Sequence, residues 1–89
     1  MGNVHRKLDR ILDVFAEVVK CYYFDECHRI DEVLRAARDD EAILTIDAEY
    51  IRLKVEEFKN GNDGAYDDIV QLLKDAMIHV VTKHMCVRA

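Results

Sequence analysis

The sequence predicts an all-α fold: a small bundle of three to four helices that are joined by short connections, run antiparallel and associate as a dimer. Two features of the composition indicate helix. The chain has no proline and only 3 glycines in 89 residues, and neither residue type occurs between Asn3 and Asn60. The third observation is periodic, because apolar residues recur at alternating spacings of four and three and so share one helix face.

The first predicted helix covers residues near 3–23. Its apolar stripe consists of Val4, Leu8, Ile11, Phe15, Val18 and Tyr22. Asp25 follows this segment, and its carboxylate is suited to capping a second helix near 25–38. An unbroken helix over 3–38 is the alternative. At Tyr23 the stripe shifts by one residue, which favours a bend or a short loop.

Two further helices are predicted near 40–59 and 64–85. The acidic cluster Asp39-Asp40-Glu41 is placed to cap the third helix and to complement its dipole. A turn is predicted at Asn60-Gly61-Asn62-Asp63-Gly64, since glycine suits the left-handed position that ends one helix and aspartate suits the start of the next. Residues 1–89 are taken as a single domain.

Composition and charge limit the function classes. The net charge of −5 lies mainly mid-chain and argues against binding the nucleic-acid backbone, which requires a basic surface. No apolar segment approaches the roughly 18 residues of a membrane span, and charged residues at Arg6, Lys7 and Asp9 argue against a signal peptide. A helix-rich chain with three cysteines gains little from a disulfide scaffold. We therefore expect a soluble cytoplasmic protein with reduced cysteines and no cofactor.

Cysteine and histidine are the candidate metal ligands. Two such pairs are spaced seven residues apart: Cys21 with His28, and His79 with Cys86. Seven residues rise about 10 Å in a helix, too far for one ion to bind both members of a pair. A metal site would need single ligands from different helices, namely Cys27, His28, His79 and His84. The simpler interpretation makes Cys21 and Cys27 small core residues and places the histidines at helix ends or on the surface.

Catalysis is not expected. The chain has no serine to act as a nucleophile. Cys27 and His28 are adjacent, so on a helix their side chains point about 100° apart and do not form an activated pair. The carboxylates at helical spacing are interpreted as a solvated surface with weak ion pairs.

The width of the apolar stripes is the strongest indication of function. Residues 4–24 contain more apolar positions than the three or four in seven that one-sided packing needs. Surplus apolar surface on a small helical domain indicates self-association or a partner helix. We therefore predict a homodimer that pairs through its first and last helices. Its predicted interface residues are Val14, Val18, Tyr22, Tyr23, Tyr50 and Val81.

The predicted function is that of a non-enzymatic regulator, inhibitor or adaptor that binds another protein. An acidic patch would steer a basic partner; it consists of Asp31, Glu32, Asp39, Asp40 and Glu41. Viral and phage regulators include small acidic helical proteins of this composition, which is an analogy of composition only. The alternatives are a metal- or ligand-binding bundle and a nucleic-acid-binding dimer. The latter would use a basic strip from the two termini: Arg6, Lys7, Arg10, Lys83 and Arg88.

Overall fold

The computed structural model describes the backbone of residues 2–88 and the side chains of residues 4–83. Over this range the chain forms four α-helices and no strand: α1 (Gly2–Phe24), α2 (Ile30–Asp39), α3 (Thr45–Lys59) and α4 (Gly64–Arg88). The all-helical prediction is therefore confirmed. The helices form an elongated bundle of 45 × 21 × 21 Å. None of the four, over the described residues, has the length and apolar character needed to cross a membrane.

The segment 3–38 forms two helices, although the break lies later than predicted. Asp25 does not cap the second helix. It adopts the left-handed conformation with φ of 59°, and its N–H donates to the Cys21 carbonyl over 3.1 Å at the end of α1. Aspartate is one of the few residues other than glycine that tolerates this conformation. The chain reverses at Asp25, and α2 begins only at Ile30.

The acidic cluster at 39–41 ends α2 instead of starting α3. Glu41 is left-handed with φ of 59°. The N–H of the next residue, Ala42, donates to the Ala37 carbonyl over 2.8 Å. This is the hydrogen bond of a Schellman motif, which closes the C-terminus of a helix. The predicted start of the third helix at residue 40 is corrected to Thr45.

The predicted glycine turn is present between α3 and α4. Gly61 has a φ of 106°, a conformation that a side chain rarely adopts. The N–H of Asn62 donates to the Glu57 carbonyl over 3.0 Å, which again closes the helix with a Schellman motif. Glycine at this position lets α4 begin at Gly64, as the sequence predicts.

One hydrophobic core joins all four helices. Its largest fully buried side chains are Ile11, Val14, Val18, Leu34, Ile51, Ile69 and Leu73. Because α1 packs against both α2 and α4, it buries a wide face of its surface. Val14 and Val18 lie on that face and are buried. Their predicted place in a dimer interface is therefore corrected, because they pack inside this chain.

Replacing a core leucine tests this arrangement. Leu73→Ala removes a fully buried side chain, so we expect the free energy of unfolding to fall by about 2–5 kcal/mol. Leu53→Ala is the matched control, because Leu53 on α3 is 58% exposed and its truncation should cost less than about 0.5 kcal/mol. Urea denaturation followed by circular dichroism measures both values. Equal losses would contradict the observed division between core and surface.

Candidate functional site: a groove and an aromatic end

An open groove of about 1170 Å³ lies between the α2–α3 connection, the start of α3 and one side of α4. α3 has 15 residues whereas α4 has 25, so α3 can cover only part of the length of α4. The apolar lining side chains are Val4, Ala42, Ile43, Leu44, Ile46, Tyr50, Leu72, Ala76 and Val80. We call this site the groove.

Large aliphatic side chains of the groove remain open to solvent. Leu44 is 68% exposed and Ile46 is 73% exposed, and Tyr50 is exposed beside them. Single exposed aliphatics are common on protein surfaces, whereas a contiguous group around a concave site is typical of a binding surface. The groove is therefore the larger of two candidate interaction sites.

The charge along the α4 side of the groove changes sign. Asp68 and Asp75 come first, and Lys83 lies further along the helix. Lys83 is about 12 Å beyond Asp75, given the rise of 1.5 Å per residue. Asp68 forms an ion pair with Lys54, with 3.0 Å between the Lys54 Nζ atom and an Asp68 carboxylate oxygen. Within the described part of the chain, neither Asp75 nor Lys83 has an ion-pair partner.

A second surface is aromatic and lies where the end of α1 meets the end of α3 and the start of α4. We call it the aromatic end; its rings are Tyr22, Tyr23, Phe24, Phe58 and Tyr66. Tyr22 stacks on Tyr66 with ring centroids 4.1 Å apart and meets Phe58 edge to face at 5.3 Å. Such offset and edge contacts are favourable aromatic geometries. Tyr22 is thereby held between two helices.

Tyr23 and Phe24 complete the aromatic end from the last turn of α1. Tyr23 meets Tyr22 edge to face at a centroid distance of 5.0 Å. Tyr23 is 64% exposed and Phe24 is 69% exposed, which is unusual for rings that could be buried. The aromatic end thus combines the packed ring of Tyr22 with the solvent-exposed rings of Tyr23 and Phe24.

A disulfide between Cys21 and Cys27 lies beside the aromatic end. Their Cα atoms are 4.4 Å apart, and the bond ties the last turn of α1 to the connection before α2. The sequence predicts both cysteines as reduced core residues, and this prediction is wrong in the structure. The predicted helix includes Cys27, whereas α2 begins only at Ile30. The reversal at Asp25 instead returns Cys27 to the side of Cys21.

The three candidate metal ligands whose side chains the structure describes do not converge. Cys27 is in the disulfide, His28 is exposed in the connection before α2, and His79 lines the groove. The side chain of His84 lies outside the described residues. In the described part of the chain, no group of three or more His, Cys, Asp or Glu side chains is arranged to hold a metal ion.

The predicted acidic patch is divided between the two ends of α2, and arginines neutralise much of it. Asp31, in the first turn of α2, accepts a hydrogen bond of 3.0 Å from Arg52. Glu32 accepts one of 3.1 Å from Arg29. At the other end of the helix, Asp39 lies 3.8 Å from Arg38. Glu41 is exposed beyond the helix end and lines the groove.

Asp40 binds two residues of the predicted basic strip. Arg10 donates a hydrogen bond to the Asp40 carboxylate, and Arg6 lies 3.6 Å from the same oxygen. The Arg10 hydrogen bond is the main reason that the pKa of Asp40 is held below its ordinary value. The basic strip is therefore partly neutralised within the chain, and the side chain of Arg88 lies outside the described residues.

The carboxylates of the aromatic end lack such partners. Asp25, Glu26, Asp63 and Asp67 form no ion pair with any residue whose side chain the structure describes. Burial raises the pKa of Tyr22, and the nearby Asp63 carboxylate raises it further. The aromatic end is consequently an acidic surface. The acidic patch predicted from the sequence lies elsewhere, on and around α2.

The predicted interface residues fall in several places. Tyr22 and Tyr23 belong to the aromatic end, and Tyr50 lines the groove. Val81 is exposed on α4, next to the groove residue Val80. Comparison with protein-family models, curated proteins and solved structures found no match in any of the three. Function is therefore inferred from the two surfaces of this chain.

The Asp40 pair predicts a pH-dependent stability. Since the folded-state pKa of Asp40 is lowered, its charged form stabilises the fold above the unfolded-state pKa, and this contribution is lost as the pH falls through the lower value. Asp40→Asn should therefore destabilise the protein at pH 7, and its difference from the parent protein should shrink at about pH 3, which is below the unfolded-state pKa of about 3.9. Urea denaturation at both pH values measures this. Asp39→Asn, at an exposed ion pair, should change little; a loss for Asp40→Asn that is independent of pH would contradict the assignment.

Proposed function

We propose that this protein is a non-enzymatic regulator, inhibitor or adaptor that forms a homodimer and binds another protein. The groove carries this proposal, because Leu44, Ile46 and Tyr50 expose a contiguous apolar surface around a concave site. A chain of this length buries only about two-thirds of the surface that it exposes when unfolded. Covering the groove with a second copy removes apolar surface that the single chain leaves in water.

The charge order along α4 favours a second copy as the occupant of the groove. A two-fold axis makes each copy present the same surface, so that surface must complement itself. If two α4 helices cross in opposite directions, Asp75 of one copy lies opposite Lys83 of the other, and the same pair repeats across the axis. Ala76, one residue beyond Asp75 in the groove lining, is small and permits close approach of the helices at that position.

An antiparallel order of the helices within each copy belongs to the same proposal. Two contacts support it. The Tyr22–Tyr66 stack joins the end of α1 to the start of α4, and the Lys54–Asp68 ion pair joins the last turns of α3 to the first turns of α4. The short connections between the helices are typical of antiparallel neighbours.

A cytoplasmic location stays a prediction. The cysteines of cytosolic proteins are normally kept as free thiols, whereas the structure pairs Cys21 with Cys27 in a disulfide. Mass spectrometry of the protein alkylated at cell lysis distinguishes the two states. Free thiols at both positions would support the prediction, and an intact disulfide would count against it.

The dimer is tested by placing a charge in the groove. Ile46→Glu should weaken dimerisation at least about tenfold, because it would bury an unpaired carboxylate in the interface. Leu12→Glu is the control, since Leu12 on α1 is 52% exposed and lies outside the groove lining. Sedimentation equilibrium over a dilution series measures the association, and circular dichroism verifies that both variants fold.

The parent protein and Leu12→Glu are both expected to have about twice the mass of the 10.4 kDa chain. A parent protein that stays monomeric at high micromolar concentration would overturn the proposed homodimer. Equal weakening by both substitutions would show that the interface is not the groove.

A further inference from the structure

The aromatic end holds a cleft that is separate from the groove. Its volume is about 700 Å³, and no residue that lines it also lines the groove. The lining consists of Cys21, Tyr22, Tyr23, Phe24, Asp25, Phe58, Lys59 and Asp63. Four aromatic rings and two carboxylates thus surround one opening. If a second copy of the chain occupied the groove, the cleft would remain open to a ligand.

The inner wall of this cleft is fixed before any ligand binds. Tyr22 is held by its stack on Tyr66 and by the edge of Phe58, and the neighbouring Cys21 is covalently tied to Cys27. The outer rings of Tyr23 and Phe24 remain exposed. Aromatic rings have electron-rich faces that attract cations, so the exposed rings of Tyr23 and Phe24 offer a cation a binding surface beside this inner wall.

The charge of the cleft favours the same ligand. Asp25 and Asp63 line it and have no cationic partner among the described side chains, whereas Lys59, the one lysine in its lining, lies 3.8 Å from Glu56. A purely apolar ligand would cover the rings but would also remove water from these carboxylates without replacing its hydrogen bonds, which is unfavourable. A ligand with an apolar or planar body and a positive charge satisfies both parts of the cleft.

We propose that the cleft of the aromatic end binds an arginine side chain of a partner protein, with the guanidinium against the rings of Tyr23 and Phe24 and its N–H groups directed to Asp63. Arginine suits this site better than lysine, because its planar guanidinium stacks on aromatic faces and donates two parallel hydrogen bonds to one carboxylate. This inference rests on the proposed function, since it names the chemistry of the bound partner.

The test compares arginine with citrulline, its neutral isostere. The probes are the peptides acetyl-Gly-Arg-Gly-amide and acetyl-Gly-citrulline-Gly-amide, titrated into the full chain while tyrosine ring protons are followed by nuclear magnetic resonance. We expect the arginine peptide to shift the ring signals of Tyr22 and Tyr23 and to bind at least about fivefold more tightly than the citrulline peptide. Higher salt should weaken the arginine binding.

Three variants locate the site. Tyr23→Leu keeps an apolar, helix-compatible side chain but removes the ring, and Asp63→Asn removes a charge while keeping a residue that is suited to a helix N-terminus. Each should bring the affinity for arginine close to that for citrulline. Tyr50→Leu is the matched control, because Tyr50 lies in the groove, and it should bind the arginine peptide as the parent does.

Equal affinity for the two peptides, or shifts that are unaffected by Tyr23→Leu and Asp63→Asn, would overturn the arginine site. The result is independent of dimerisation, since the Ile46→Glu variant can be titrated in the same way. Arginine binding by a monomeric parent protein would support the cleft and overturn only the homodimer. A dimer that does not discriminate between the peptides would overturn only the cleft.

Discussion

The structure depends on four helices of unequal length sharing one hydrophobic core. The two long helices, α1 and α4, have 23 and 25 residues, whereas α2 and α3 have 10 and 15. A short helix can cover only part of a long one, and Ile78 and Val81 of α4 stay in contact with water. The groove lies beside α4 where Leu44 and Ile46, at the start of α3, are exposed as well. The aromatic end has a different origin, because there three helix ends meet and cover Phe58 while Tyr23 and Phe24 stay exposed.

Helix content could be predicted from the sequence because it depends on local features. The absence of proline and the position of Gly61 determine where helix is permitted and where it stops. The other two connections carry no comparable signal. Asp25 and Glu41 adopt a conformation that glycine normally occupies, so their sequence context indicated helix starts where the chain has helix ends. The disulfide depends on the first of these reversals and was missed with it.

The candidate sites could be predicted only in part, for a related reason. A wide apolar stripe shows that a helix has surplus apolar surface but does not show which edge its neighbours cover. Val14 and Val18 are covered because α1 has neighbours on two sides. Tyr23 points about 100° away from the packed Tyr22 around the helix and stays exposed. The same limit applies to charge, because the sequence shows where carboxylates are numerous but not which of them are paired. The mid-chain carboxylates are the most numerous, yet two arginines that are distant in sequence, Arg10 and Arg52, bind two of them, Asp40 and Asp31.

The clustering of rings at one end also makes the protein its own optical reporter. The chain has no tryptophan and 4 tyrosines, and three of these, Tyr22, Tyr23 and Tyr66, contact one another at the junction of α1 and α4. Ultraviolet absorption by tyrosine in the native protein therefore arises mainly at this junction. A change in this absorption during unfolding follows the separation of α1 from α4, while a signal from peptide groups follows all four helices. Divergence between the two signals would reveal that one end of the bundle opens before the other.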